Sequence, residues 1–192
     1  MTRAGLPILG FMDEAEFAFW LAEQPSGSPG LWLKLAKKGS GEASLSKAEA
    51  IDAALCHGWI DGQLDTFDAS HWLVRFTPRK ARSKWSEVNR KRAGELIAAG
   101  RVKPAGLVQI DAARTDGRWE AAYAPASTAQ VPPDLQAALN ACPTAARFFA
   151  TLTGANRYAI LYRIGAVKKP ETRVLKIAQY VNMLARGETL HG

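Results

Sequence analysis

Cysteine and histidine are scarce in this chain. Cys56 and Cys142 stand far apart in 192 residues, which is no disulfide framework and fits a reducing compartment. The three histidines, His57, His71 and His191, do not fall with the cysteines at zinc-ligand spacing. Asp61, Asp65 and Asp68 miss the alternate-residue pattern of a calcium loop, so no metal and no cofactor are expected. No apolar run approaches the roughly 20 residues of a membrane span, so membrane insertion is not expected. The first ten residues lack the unbroken apolar stretch and cleavage pattern of a secretory leader, and the expectation is a cytoplasmic protein. Lys38-Gly39-Ser40-Gly41 lacks the residue order of a phosphate loop and reads as a turn. Cys56 and His57 are neighbours, and neighbouring helix residues point in different directions. No catalytic residue can be named from such patterns.

What is abundant is positive charge, and it is unevenly placed. The chain carries a net charge of +7 with pI about 9.6. Residues 75–103 hold ten bases and two acids, a net +8, against −1 for the remainder. Such a block concentrates and steers anions. Composition is otherwise that of a globular domain, at 47% hydrophobic and 22% charged residues, and a chain this long can bury a core without staples.

Periodicity predicts the elements. Asp13 caps a first helix with Phe17, Trp20 and Leu21 on one face, and Pro25-Ser26-Gly27-Ser28-Pro29-Gly30 breaks it. Leu31 to Leu35 alternates as a strand. Ser46 and Glu49 form a capping box for a helix stopping at Gly58. His71 to Phe76 is a second strand, with Trp72, Val74 and Phe76 on one face, closed by Thr77-Pro78. Ser83 or Ser86 starts a third, basic helix running to Gly100, and Pro104 opens a fourth. Residues 124–133 read as a linker, and four helices follow it. The expected fold is α+β and mainly helical, with a small antiparallel sheet in an α+β core domain, residues 1–125, and a helical C-terminal subdomain, residues 131–192.

Two segments could hold a ligand. In Gly58-Trp59-Ile60-Asp61-Gly62-Gln63, Asp61 and Gln63 flank a glycine that allows close backbone approach, while Asp61-Gly62 also reads as a turn with Trp59 and Ile60 in the core. In residues 75–90, Arg75 and Arg79 offer planar forks for phosphate or carboxylate. Thr77, Ser83, Ser86 and Asn89 add neutral hydrogen bonds, and Trp85 could stack on a base or sugar. A helix opening at Ser83–Ser86 would turn free N–H groups toward an anion. The plain alternative makes Ser86 a cap, Trp85 a core residue and Arg90 to Arg92 a solvated face.

These strings resemble the YdeI/OmpD-associated family, also labelled bacteriocin-protection proteins. One block runs from Trp32-Leu33-Lys34-Leu35-Ala36-Lys37-Lys38 through Gly-Trp-Ile-Asp-Gly-Gln at 58–63 to Arg-Phe-Thr-Pro-Arg at 75–79 and Ser83-Lys84-Trp85-Ser86. The other is Lys168-Lys169-Pro170-Glu171-Thr172-Arg173 with the helix after it. The chain departs from the family in having His57 and His71 where members often carry tyrosine. The resemblance implies a bacterial protein linked to antimicrobial-peptide or stress tolerance, with no established reaction. The leading expectation is an anionic small molecule held by Asp61, Gln63, Arg75, Thr77, Arg79, Ser83, Trp85, Ser86 and Asn89. The alternative is nucleic-acid binding through the basic segment 75–103. An enzyme using Asp61 as acid or base ranks third.

Overall fold

The structure, a computed structural model, describes residues 1–25 and 27–191. Ser26, one residue of the expected helix-breaking run, lies outside them. The chain divides into two compact units, Met1–Ala122 and Tyr123–Gly192. The proline-rich stretch 124–133 therefore belongs to the second unit, where Ala129 and Val131 pack against its core.

The N-terminal unit contains β1 (Thr2–Arg3), β2 (Leu6–Leu9), α1 (Glu14–Ala22), β3 (Leu31–Ala36), α2 (Lys47–Cys56), β4 (Trp59–Thr66), β5 (His71–Pro78), α3 (Glu87–Ala98) and α4 (Pro104–Thr115). Its five strands are ordered β1-β2-β3-β5-β4. The expectation of a small antiparallel sheet is corrected here, because β2 pairs with β3 in parallel and the sheet is mixed. A parallel pair needs a crossover, and α1 supplies it, carrying the chain from β2 to β3. The first ten residues, broken by Pro7 and Gly10, showed no strand period, so this pairing could not be read from them.

A second correction concerns residues 59–66. Asp61-Gly62 is not a turn but lies inside β4, which pairs along β5 with a register shift between Asp61 and Leu64. Turn propensity is a local preference, and the ladder with β5 overrides it. The turn at the end of α2 falls instead on Gly58, whose φ is +76° and whose Cβ would meet Ala105 O at 2.7 Å.

Cross-strand pairs Leu31–Phe76, Leu33–Val74 and Leu35–Trp72 turn one sheet face toward α1 and α2. There Phe17 meets Phe76 edge-on at 5.6 Å and Trp20 meets Trp59 at 5.7 Å. Asp13 caps α1 by accepting from Glu16 N at 2.9 Å. The capping box of α2 is complete: Ser46 Oγ accepts from Glu49 N, and Glu49 Oε2 accepts from Ser46 N at 2.9 Å. The hydrogen bond with Ser46 holds the Glu49 carboxyl below its ordinary range. A lowered carboxyl pKa contributes stability above the unfolded-state pKa and loses it as pH falls through the folded-state value. Glu49→Gln is therefore expected to lower stability at neutral pH and to match wild type in strong acid, as read from urea unfolding at the two pH values.

The C-terminal unit is helical: α5 (Pro133–Asn140), α6 (Pro143–Thr151), α7 (Gly154–Gly165) and α8 (Pro170–Ala185). Leu135, Leu139, Phe149, Ile160, Ile164, Ile177, Tyr180 and Leu184 form its core. Arg173 ties α8 to α5, donating from Nε to Asp134 at 2.5 Å, and this holds the Asp134 carboxyl below its ordinary range.

Candidate functional site

Alternation along β5 decides what the site contains. Trp72, Val74 and Phe76 join the cluster under α1 and α2, so Arg75 and Thr77 lie on the opposite face, beside the smaller cluster of Leu6, Trp32 and Leu73. The loop before β3 is pressed onto this strand. Gly30 sits at φ +100°, and a Cβ there would lie 2.3 Å from Phe76 O and 2.7 Å from the Thr77 methyl. Only glycine permits that approach, which brings Ser28 and Pro29 alongside β5.

On the other side, the bulge in β4 redirects Gln63. In regular register residue 63 would oppose Val74, but the extra residue places Leu64 there. A cavity of about 600 Å³ results, lined by Gly27, Ser28, Pro29, Gly62, Gln63, Arg75, Thr77, Pro78, Arg79 and Lys80. Three of these residues are cationic and none is acidic. Arg75 Nε is buried with no hydrogen-bond partner among the described residues.

Arg79 is held in place from behind. It is only 6% exposed, its guanidinium carbon lies 3.5 Å from the Trp85 ring centroid, and Nη1 donates to Lys84 O at 3.2 Å. Stacking on the indole covers one face of the guanidinium and fixes its plane. Trp85 is itself 1% exposed and packs edge-on against Trp119 at 4.9 Å. The loop between them is pinned by Ser83, whose Oγ accepts from Lys80 N at 2.9 Å.

The nine residues singled out from the sequence therefore separate. Gln63, Arg75, Thr77 and Arg79 line one cavity. Ser83, Trp85, Ser86 and Asn89 stand outside its lining: Ser86 caps α3 by accepting from Asn89 N at 3.1 Å, and Trp85 backs Arg79. Asp61 does not oppose the arginines. It lies 3.9 Å from Lys47 Nζ of α2, and Lys47 in turn sits over the Trp72 ring.

Sequence reasoning missed Ser28 and Lys80 in the lining, because nothing in a broken Gly/Pro loop reveals which strand it folds onto. It also missed Asp52. This carboxylate on α2 is 8% exposed and takes a two-pronged bond from Arg92 of α3, with Nε at 2.7 Å. Arg101 pairs with Glu14 of α1 and stands 3.9 Å from Asp52. The bond to Asp52 drives the Arg92 pKa above its ordinary value. Two charges of the basic block are thus used inside the fold. Burial raises the Cys56 thiol pKa, and no group of three His, Cys, Asp or Glu side chains suited to a metal occurs among the described residues.

A second cavity, also about 600 Å³, lies between the 37–47 loop and Trp72. Two of its three lysines are engaged, Lys47 facing Asp61 and Lys37 Nζ donating to Asp68 O at 2.7 Å, and Glu42 joins Lys38 in the lining.

The profile of the family described as "Domain of unknown function (DUF8412)" matches residues 9–109, more than half of the chain. That of "Bacteriocin-protection, YdeI or OmpD-Associated" matches residues 128–187. The two blocks of the resemblance thus fall under two different families, the Lys168–Arg173 block alone under the second. No curated protein and no solved structure matches the chain.

Proposed function

We propose a function for a chain that belongs to the family described as Domain of unknown function (DUF8412) and carries a bacteriocin-protection, YdeI or OmpD-associated segment over residues 128–187: the cavity on β5 binds a compact anionic small molecule. The observation that carries this is the lining, which holds Arg75, Arg79 and Lys80 and no carboxylate among the described residues. Three cationic side chains line one cavity, and a bound anion would lower their mutual repulsion. Gln63, Thr77 and Ser28 add neutral partners. The arginine forks suit carboxylate or phosphate oxygens, and the lysine adds a movable point charge.

The same geometry narrows the ligand. No aromatic ring lines the cavity, since Trp85 is covered by Arg79 and Trp119. A ligand recognised by charge and hydrogen bonds, such as a phosphate ester or a di- or tricarboxylate, fits better than a stacked nucleobase. In this reading the protein is a binding protein of the cell interior, and anion binding is its part in tolerance of antimicrobial peptides or stress. Nucleic-acid binding has less support, because Arg92 and Arg101 are engaged by acids and Trp85 cannot stack on a base. Catalysis by Asp61 has less as well, because Asp61 stands outside the cavity beside Lys47.

Thermal denaturation with inorganic phosphate, pyrophosphate and citrate tests the reading. At least one anion is expected to raise the melting temperature of wild type. Arg75→Gln is expected to weaken its binding by about 10- to 100-fold, the range for one charge-assisted hydrogen bond, and Lys80→Ala by less. Equal stabilisation of wild type and Arg75→Gln by every anion, or stabilisation of neither, sinks the assignment.

A further inference from the structure

Charge is not spread evenly round the β5 cavity. β5 has β3 on one side and β4 on the other, and Arg75, Thr77 and Arg79 follow one another at alternate positions along it. Side chains two residues apart share a face of a strand. Backbone pairing continues as far as Arg79, whose N–H donates to Gly58 O at 2.9 Å. The row is therefore extended throughout, and four residues at about 3.4 Å each set the Cα atoms of Arg75 and Arg79 about 13 Å apart.

Each part of the row meets a different wall. At the Arg75 end the wall is the β4 bulge, whose Gly62 and Gln63 fall between the pairs Asp61–Phe76 and Leu64–Val74. A Cβ on Gly62 would lie 3.6 Å from Arg75 O. One cation and one amide serve this end, and Arg75 Nε is buried with no hydrogen-bond partner among the described residues. In the middle, Gly30 is pressed onto the Thr77 methyl, and Ser28 of the same loop lines the cavity. Ser28 Oγ accepts from Gly30 N at 3.3 Å, which leaves the hydroxyl proton to donate. At the far end two cations adjoin, Arg79 and the exposed Lys80. Arg79 is fixed there, because Trp85 covers its face and Nη1 is bound to Lys84 O, and neither of those residues lines the cavity.

We propose that the ligand of this cavity is a phosphorylated sugar acid, a polyhydroxy chain with an anionic group at each end. Its phosphate lies with Arg79 and Lys80 and its carboxylate with Arg75 and Gln63. The proposal rests on the reading of the cavity as an anion site. A phosphate ester carries close to two negative charges at neutral pH and matches the two adjoining cations. A carboxylate carries one and matches a single planar fork. Thr77 and Ser28 both donate and accept, which suits hydroxyls between the ends. A phosphate ester with one head leaves Arg75 unmatched, and a simple dicarboxylate leaves one of the two adjoining cations so.

The test is calorimetric titration of the full chain with 6-phosphogluconate, glucose 6-phosphate and gluconate, which differ by one end group at a time. Wild type is expected to bind 6-phosphogluconate at least about 10-fold tighter than either of the others, the range for one charge-assisted hydrogen bond. Arg75→Gln is expected to remove the advantage over glucose 6-phosphate and to leave glucose 6-phosphate binding unchanged. Lys80→Ala is expected to weaken both phosphates and to leave gluconate unchanged, with circular dichroism showing that both variants fold. Equal affinity of wild type for 6-phosphogluconate and glucose 6-phosphate overturns the proposal, as does an Arg75→Gln effect of the same size on both. Tighter binding of 3-phosphoglycerate, whose end groups stand closer, or of fructose 1,6-bisphosphate, which has no carboxylate, overturns it too. If citrate or pyrophosphate still binds through Arg75 in those cases, the anion site stands and only the two-ended ligand falls. If no anion binds, both fall.

Discussion

Truncation of Trp85 to alanine is expected to destabilise the N-terminal unit by about 3–5 kcal/mol, the range for deleting a large aromatic from a packed core. Trp85 is 1% exposed and belongs to the cluster of Leu55, Cys56, Ala93, Leu96, Ile110 and Ala113, which joins α2, α3 and α4. The substitution removes the partner of Trp119 and the indole face beneath Arg79 together. Arg79 would then lose its stacking surface while remaining fixed by its bond to Lys84 O. Binding in the cavity should fall as a consequence, but only alongside the loss of stability. Denaturant unfolding followed by circular dichroism measures the first effect, and anion-induced stabilisation of the surviving fold measures the second. A Trp85→Ala protein as stable as wild type, yet blind to anions, would make Trp85 a ligand platform and not a core residue.

Gly106→Ala should destabilise the same unit by about 1–3 kcal/mol, the cost of overpacking, although alanine is favoured in helices by about 1 kcal/mol over glycine. Gly106 lies in the first turn of α4 where that helix crosses the end of α2. A Cβ there would stand 2.4 Å from Cys56 O and 2.8 Å from a Val102 methyl. The obstacle is backbone, and Cys56 O already accepts from Lys103 N at 2.9 Å, so neither side can yield without moving an element. Gly94 in α3 is the control, since a Cβ there meets nothing within 4 Å. Gly94→Ala is expected to stabilise by up to about 1 kcal/mol, following propensity alone. Opposite signs for two helical glycines, measured side by side in urea, separate packing from propensity. A stabilising Gly106→Ala would mean that α4 does not approach α2 so closely.

Much of the local structure was legible because its causes are local. The Asp13 cap, the Ser46–Glu49 box and the proline starts at Pro104, Pro143 and Pro170 satisfy the helix-end requirement within a few residues of sequence. The alternation of Leu31 to Leu35 and of Trp72, Val74 and Phe76 likewise gave β3 and β5 and their inner faces. The parallel β2–β3 pair and the strand β4 were not legible. Each depends on a partner far along the chain, and each overrode a local signal, a proline-broken run in one case and an Asp-Gly turn in the other.

For the site, sequence supplied Arg75, Thr77, Arg79 and Gln63 as residue types suited to an anion, and the two-residue period already placed Arg75 and Thr77 on one face. Tertiary structure decided the rest. One inserted residue in β4 put Gln63 with the arginines and left Asp61 beside Lys47. The positive φ of Gly30 set the 27–30 loop as a wall, and the packing of Trp119 turned Trp85 from a candidate platform into a support. Charge followed the same division. Its amount was a property of the sequence alone, but folding paired Arg92 and Arg101 with Asp52 and Glu14 and gathered Arg75, Arg79 and Lys80 at one cavity. Period, capping and composition act between near neighbours, whereas register, close approach and ion pairing act between segments that only folding brings together.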